Sequence, residues 1–312
     1  MENSVTNTKM DKFWPFKLNS AKRDQLWGYL FISPWLIGLL GFIIIPMLLS
    51  VYYSFTHYEV ITPAKWAGLD NYITIFTNDP LFIKSLYNTI YYTVFYIPLN
   101  VSICLVMALL LTSKVRGVSI FRALVYIPNV VPTVALALIW MIIFNSQFGV
   151  INYFIRLVGL PGPEWLASTV WSKPAIIIMN LYKAGFTALI FVAALQQVPL
   201  ELYDAAAIDG ASALRRYFSV TLPMISPAIL FSVIMGTIGS FQLFTEAYVT
   251  TDGGPLNSTL FYGLYLYKKA FGLLQMGYAS AMAWILFFII LTLTLIQLRI
   301  SKKVVYYEGG EG

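Results

Sequence analysis

Six long apolar blocks constrain this chain more than any other feature of its sequence. They cover approximately residues 27–55, 86–112, 120–144, 174–195, 223–249 and 279–300. Each is long enough to cross the hydrocarbon core of a bilayer, which takes about 20 helical residues. Because lipid offers no hydrogen bonds to the backbone, only helices and closed barrels can span it. The blocks therefore predict an all-α membrane protein with six transmembrane helices.

The composition also indicates a lipid solvent. Hydrophobic residues make up 59% of the chain and charged residues only 11%, against roughly 25% charged residues in soluble domains. The net charge is +6, but the charges flank the apolar blocks and no basic stripe interleaves with aromatics, so we expect no nucleic-acid partner. The single cysteine, Cys104, and the single histidine, His57, lack the partners that a disulfide, a metal site or a catalytic site requires.

Lysine and arginine residues are divided unequally between the connections. If the N-terminus is cytoplasmic, thirteen of them lie on the cytoplasmic side and six on the outer side, with Lys183 inside the fourth block. Cytoplasmic connections of membrane proteins carry such an excess, so both termini are predicted to be cytoplasmic. The basic, aromatic tail at 1–26 either lies along the lipid interface or is disordered. Residues 301–312 form a cytoplasmic C-terminal tail.

Prolines interrupt several blocks, most densely in the third. A proline in a helix interior removes a backbone hydrogen bond and kinks the helix. A membrane bundle tolerates this where neighbours or a cavity satisfy the freed groups. Pro128 and Pro132 bracket Asn129 and precede Thr133. The third block is therefore predicted to be broken around a polar cavity.

The connection between the fourth and fifth blocks predicts two short helices. Pro199 can open the first, the Asp209–Gly210 pair can end it because glycine adopts the left-handed conformation, and Ser212 can cap the second. Three small residues at 205–207 lie between Asp204 and Asp209. Small residues let another backbone approach closely, and acidic residues attract basic partners.

This connection resembles the cytoplasmic signature of binding-protein-dependent ABC importer permeases of the MetI-like, type I family. The family has Glu-Ala-Ala, then a glycine after three residues, then Ile-x-Leu-Pro after nine more. Here the spacing is the same, but Asp204 stands in place of Glu and Val220 in place of Ile. The resemblance implies the MetI-like fold with coupling helices at 199–222. The residues that it implies for docking onto an ATPase subunit are Asp204, Ala205, Ala206, Asp209 and Gly210.

A second segment is similar to the carbohydrate permeases of the maltose and glycerol-phosphate type. It comprises Thr-Asp-Gly-Gly-Pro at 251–255, Thr259 and the stretch at 267–271. The two resemblances cover roughly residues 82–300, the permease core, with 27–55 as an additional first helix. They imply a multi-pass subunit of the bacterial cell membrane that passes a sugar into the cytoplasm. The expected sugar is an oligosaccharide, and an acidic sugar is the second option.

The same resemblance implies the partners of the chain. They are a second homologous permease chain, two ABC ATPase subunits, an extracytoplasmic solute-binding protein, the sugar and membrane lipid. ATP and magnesium would be held by the ATPase subunits, so this chain is expected to carry no cofactor and to be a transport subunit without enzyme activity.

Ionisable residues inside the blocks point to the substrate path, because such residues are costly in lipid and normally face a cavity or a partner. Lys183 and Glu246 either pair with each other or contact the substrate, and Lys183 would suit an acidic sugar. Sugars are bound by planar polar groups and aromatic rings. The candidate path residues are Asn129, Thr133, Asn180, Lys183, Phe186, Ser240, Phe241, Gln242 and Glu246. The polar ones could equally bond between helices for packing.

Two other functional classes remain as alternatives. A membrane-embedded enzyme acting on lipid-linked substrates would need a carboxylate or histidine cluster, and the acidic group at Glu201, Asp204 and Asp209 suits docking better than metal binding. No Walker A pattern or Gly-x-Ser-x-Gly motif occurs in the sequence. An ion-coupled secondary transporter would use Lys183 and Glu246 as a proton relay, and its uptake would not require an ATPase.

Overall fold

The computed structural model describes residues 20–113 and 117–306. The predictions for the tail before residue 20, for Lys114 and Arg116, and for residues 307–312 therefore lie outside the described residues. The chain divides into two units, residues 1–52 and 53–312. The described part of the first unit is helical, with α1 (Ser20–Leu39), a π-helical turn (Leu40–Ile44) and most of α2 (Ile45–Ser54). The run Asp24–Ser54 is long and apolar enough to cross a membrane.

The second unit begins with a small β-hairpin, so the prediction of an all-α protein is incomplete. Strands β1 (Thr56–Glu59) and β2 (Thr62–Trp66) pair antiparallel and lead into helix α3 (Asp70–Thr77). The buried Asn71 holds this region together, because its Nδ2 donates to the carbonyls of Ser54 and Thr56, both at 2.9 Å. The strands are too short and too polar for hydrophobicity to reveal them.

Two long helices correspond to the second and sixth blocks. They are α4 (Pro80–Thr112) and α16 (Met276–Val304), and each is long and apolar enough to span a bilayer. Helix α4 begins before the predicted block at residue 86 because Asp79 caps it. The Asp79 carboxylate accepts from the backbone N–H groups of Leu81 and Phe82, which satisfies donors that a helix start leaves free.

The other three blocks are helix pairs with a sharp bend. The pair α5 (Val118–Val130) and α6 (Thr133–Ile143) bends by 100°, α8 (Ser172–Leu181) and α9 (Gly185–Gln196) by 47°, and the fifth block by 65° between Ala213–Met224 and Ser226–Phe241. The predicted break in the third block is confirmed at Val131 and Pro132, whereas Pro128 remains inside α5. The breaks in the fourth and fifth blocks were not predicted. Within the described residues, six spans result only if each bent pair is one crossing.

The bent pair of the fifth block comprises α11 (Ala213–Arg216) and α12 (Leu222–Met224) in its first arm and α13 (Ser226–Phe241) as its second. The remaining helices are short. They are α7 (Val150–Leu157), α10 (Leu200–Ile208), α14 (Thr245–Thr250) and α15 (Tyr262–Tyr267). Two π-helical turns follow α11 and α15, at Tyr217–Thr221 and Lys268–Gly272.

Two clusters of buried side chains lie along α4. The first surrounds its N-terminal half and includes Phe82 and Tyr262. The second surrounds its C-terminal half, where Cys104 packs with Ala188 and Phe191 of α9. The expectation that Cys104 serves packing is confirmed, because it is fully buried and its thiol lies 3.2 Å from the carbonyl oxygen of Ala184.

Candidate functional site

Lys183 lies in the break between α8 and α9, and Asn129 of α5 holds this break. In the amide orientation that satisfies both polar atoms, Asn129 Nδ2 donates to the Lys183 carbonyl at 3.0 Å and its Oδ1 accepts from the Phe186 N–H at 3.3 Å. Both backbone groups belong to the region where the helical bonding is interrupted. Asn129 thus replaces hydrogen bonds that the bend removes, as membrane helices require.

Gly185 makes the close approach of α5 and α9 possible. A Cβ atom at this position would lie 1.9 Å from the carbonyl oxygen of Val125. Only glycine avoids this overlap, and small residues are the usual means by which membrane helices pack closely. The identity of residue 185 therefore fixes where Lys183 emerges from the bend.

The Lys183 ammonium forms an ion pair with Glu246. Its Nζ lies 2.8 Å from Glu246 Oε1 and also donates to Thr133 Oγ1 at 3.4 Å. Glu246 belongs to the first turn of α14, and Thr133 is the first residue of α6. The side chains are mostly buried, with 22% of Lys183 and 10% of Glu246 exposed. The sequence left two alternatives open for Lys183 and Glu246, pairing with each other or contact with the substrate. The structure shows the pair, in which each charge compensates the other.

The remaining predicted path residues fall into two groups. Phe186 and Gln242 are exposed, whereas Asn180, Ser240 and Phe241 are buried. Asn180 donates back to the carbonyl of Ile176 in its own helix at 3.0 Å. The Ser240 hydroxyl has no hydrogen-bond partner among the described residues. Side-chain bonds thus join Thr133, Lys183 and Glu246, and Asn129 bonds the backbone of Lys183 and Phe186. The part of all nine residues in a substrate path stays a prediction.

Asp79 forms a second polar centre, which sequence reasoning missed. Its Oδ2 accepts from the hydroxyls of Tyr265 and Tyr278 and lies 3.9 Å from Lys269 Nζ. Burial raises the pKa of Asp79, but these hydrogen bonds, the Phe82 N–H and the Lys269 charge outweigh it, so the pKa lies below its ordinary value. A cavity of about 410 Å³ opens beside this centre.

The starts of α4 and α16 and helix α15 meet at this centre. Asp79 caps α4, while Tyr265 lies in α15 and Tyr278 in the first turn of α16. The Asp79–Pro80 pair is a capping signal that could have placed the helix start. Its tyrosine partners lie far along the chain, and nothing in the local sequence identifies them.

The connection between the fourth and fifth blocks has the predicted helix–glycine–helix form. Helix α10 begins after Pro199, and Gly210 follows it with φ +75°. The N–H of Ala211 reaches back to the carbonyl of Ala206 at 2.9 Å, which closes the helix end. Ser212 caps α11 by accepting from the Arg215 N–H at 3.3 Å.

Helix α10 presents an unpartnered surface within the described residues. Asp204, Ala205, Asp209 and Gly210 are exposed and Ala206 is half-buried, and Ile208 is 87% exposed. On the other side, the Tyr203 hydroxyl lies 3.0 Å from Thr221 Oγ1 and fixes α10 to the π-helical turn before the fifth span. A movement of α10 would therefore be transmitted to that span.

Comparison with known proteins gives a consistent result. The family described as "Binding-protein-dependent transport system inner membrane component" matches residues 101–306. The probable ABC transporter permease protein YesP of Bacillus subtilis (strain 168) is 40% identical, over 95% of this chain and 96% of that protein. The sulfoquinovosyl glycerol transport system permease protein SmoG of Agrobacterium fabrum is 33% identical, over 89% and 91%.

A solved structure shows the same fold. The chain superposes on a bacterial alginate ABC transporter, crystallised with an alginate pentasaccharide-bound periplasmic protein, with a TM-score of 0.77. The match covers 91% of this chain and 96% of that one at 22% identity.

Proposed function

The chain belongs to the family of binding-protein-dependent transport system inner membrane components, and on that premise we propose that it passes a sugar from an extracytoplasmic binding protein into the cytoplasm. It has the MetI-like fold of ABC permeases and is a permease subunit, not an enzyme. ATP hydrolysis belongs to a separate subunit. Named relatives of this family carry sugars, among them the sulfoquinovosyl glycerol permease, and this supports an oligosaccharide or acidic sugar as the cargo.

The observation that carries the proposal is the geometry of α10. Its acidic and small residues face outward, and its inner side is bonded through Tyr203 to the start of the fifth span. We propose that Asp204, Ala205, Ala206, Asp209 and Gly210 dock onto the ATPase subunit. Closure of two ATPase subunits on nucleotide would then push α10 and shift the permease between inward-open and outward-open states.

The bends in the spans suit such a movement. Lys183, Glu246 and Thr133 bring together the bend of the fourth block, helix α14 at the end of the fifth block and the bend of the third. We propose that the sugar passes along this cluster and the other candidate path residues. Phe186 and Gln242 are exposed, so a ring face and an amide are available to bind a sugar. The Lys183 charge is compensated by Glu246 and is not free for an acidic sugar.

We also propose the six-span topology with both termini cytoplasmic. The permease core is 82–300, the first helix is 27–55, and 1–26 and 301–312 are cytoplasmic tails. The unequal division of lysine and arginine between the connections supports this orientation. A second permease chain, two ABC ATPase subunits and an extracytoplasmic solute-binding protein complete the proposed complex, in a bacterial cell membrane.

The docking role is tested by ATP hydrolysis in the assembled complex with the sugar-loaded binding protein. Asp204→Lys reverses the charge of an exposed side chain, and Gly210→Pro forbids the φ of +75° that ends α10. We expect both variants to insert and assemble but to lose the substrate-stimulated part of ATP hydrolysis, because α10 no longer fits its partner.

Glu164→Lys provides the matched control, because Glu164 is also an exposed acid and lies on the predicted outer side. It should leave stimulated hydrolysis unchanged. Wild-type stimulation in Asp204→Lys and Gly210→Pro, or an equal loss in the control, would refute the docking role.

A further inference from the structure

Lys173, in the first turn of α8, is a half-buried cation held in a fixed position. Its Nζ donates to Asn88 Oδ1 at 3.3 Å. Asn88 is fully buried and donates in turn to the carbonyls of Asn257 and Leu260, at 2.8 and 3.0 Å. These hydrogen bonds therefore hold the ammonium in one position, whereas the side chain of a surface lysine samples many rotamers.

Two tyrosine rings of α4 flank this ammonium. Lys173 Nζ lies 5.6 Å from the ring centre of Tyr87 and 5.1 Å from that of Tyr91. Both distances are within the range of a cation–π interaction. Lys84 precedes Tyr87 by three residues and so projects from the same face of α4. Two cations and two aromatic rings thus converge at one end of two membrane spans.

The positive charge at this position is not compensated within the described residues. The ion pairs among the described residues involve the cations His57, Lys183, Lys268 and Lys269. None of the described carboxylates pairs with Lys84 or Lys173. A half-buried ammonium without a counter-ion is costly. The site therefore has the charge of an anion-binding position.

An exposed apolar stripe extends along α4 from these cations. Ile83, Ile90 and Val94 are exposed along with Tyr87, and their spacing places them on one helix face. From Lys84 to Val94 this face is about 15 Å long at 1.5 Å per residue. That length is about half of a hydrocarbon core of ~30 Å, which matches one leaflet.

We propose that Lys84 and Lys173 bind the phosphate of an anionic phospholipid, with its acyl chain along the stripe of Ile83, Tyr87, Ile90 and Val94. Tyrosine rings at the level of the headgroups are typical of membrane interfaces, and two neighbouring cations without a counter-ion attract a phosphate group. An acidic sugar shares the negative charge but would make no use of the apolar stripe, which continues from the cations along the membrane-spanning helix. The lipid is therefore the ligand that explains both the cations and the stripe.

The test is lipid retention by the assembled complex in micelles containing phosphatidylglycerol and phosphatidylcholine, measured by native mass spectrometry. We expect the wild type to retain phosphatidylglycerol in preference. Lys84→Gln removes one water-accessible cation–phosphate contact and should weaken retention about fivefold. The double variant Lys84→Gln, Lys173→Gln should weaken it on the order of 30-fold.

Lys65→Gln serves as the control, because Lys65 is an exposed cation of β2, outside any spanning helix. It should leave retention unchanged. Lys84 makes no bond to the network of Asn88 within the described residues, so the single variant remains informative if the double variant fails to assemble. Equal retention of the two lipids, an unchanged Lys84→Gln variant, or an equal loss in the control would overturn the proposal. Galacturonate that displaces the lipid at the same lysines would overturn it in favour of an acidic sugar.

Discussion

The ion pair between Lys183 and Glu246 can be broken from either side and then rebuilt with its charges exchanged. Lys183→Met leaves the Glu246 carboxylate without its partner, and Glu246→Gln leaves the Lys183 ammonium. The reversed variant, Lys183→Glu with Glu246→Lys, restores a pair of opposite charges at the same place. These variants separate a charge pair that holds the helix bends from a charge that the sugar contacts.

The expected loss follows from burial. Removing one member of a buried pair costs roughly 3–5 kcal/mol because the other charge stays buried without a partner. Since Lys183 is 22% exposed and Glu246 10%, we expect the lower end, about 3 kcal/mol, for each single variant. For a chain of 312 residues, that corresponds to a fall in Tm of about 5 °C. The neutral double variant, Lys183→Met with Glu246→Gln, should lose less stability than the two single variants combined.

The assay combines the thermal stability of the assembled complex with sugar uptake. We expect both single variants to lose stability and the reversed pair to recover stability and uptake. Stability recovered without uptake would mean that the sugar contacts one of the two charges. Single variants as stable as the wild type, or losses that simply add in the neutral double variant, would refute the structural role of the pair.

Three further predictions follow from the contacts of single residues. Gly185→Ala should impair folding of the chain, measured as loss of monodisperse complex, because the added Cβ would lie 1.9 Å from a backbone oxygen of α5; Gly239→Ala, with open space at its Cβ, should not. Asp79→Asn should lower the Tm at neutral pH and flatten its pH dependence. The Asp79 pKa is depressed in the folded state, so its ionisation stabilises the fold above pH 3.8 and this contribution is lost as the pH falls through the depressed value. Ile208 and Leu256 are 87% and 86% exposed, so a cysteine at either position can be labelled. Ile208→Cys should react with a thiol reagent only from the cytoplasm, and Leu256→Cys only from outside. Labelling of both from the same side would contradict the topology.

Features that depend on local sequence could be predicted. The long spans follow from block length, because lipid requires helices. The end of α10 follows from Gly210, since a φ of +75° favours glycine. The break at Pro132 follows from the fixed proline ring. Each of these depends only on neighbouring residues.

Features that depend on distant contacts could not be predicted. The bend before Gly185 is stabilised by Asn129, which belongs to another span. The sequence identified Lys183 and Glu246, 63 residues apart, as either partners or substrate contacts, and only the tertiary structure shows that they pair. The tyrosines that bind Asp79 lie almost two hundred residues away. The sequence shows that these groups need partners, and only the tertiary structure selects them.

The central claim is that transport through this chain is driven by ATP hydrolysis on a separate subunit. The most direct measurement is sugar uptake into proteoliposomes that contain the permease pair, with the ATPase subunits and ATP inside and the binding protein outside. We predict uptake that requires all of these components and falls to background when the ATPase subunits or ATP are omitted. Uptake that persists without the ATPase subunits, driven by a proton or sodium gradient, would contradict the claim.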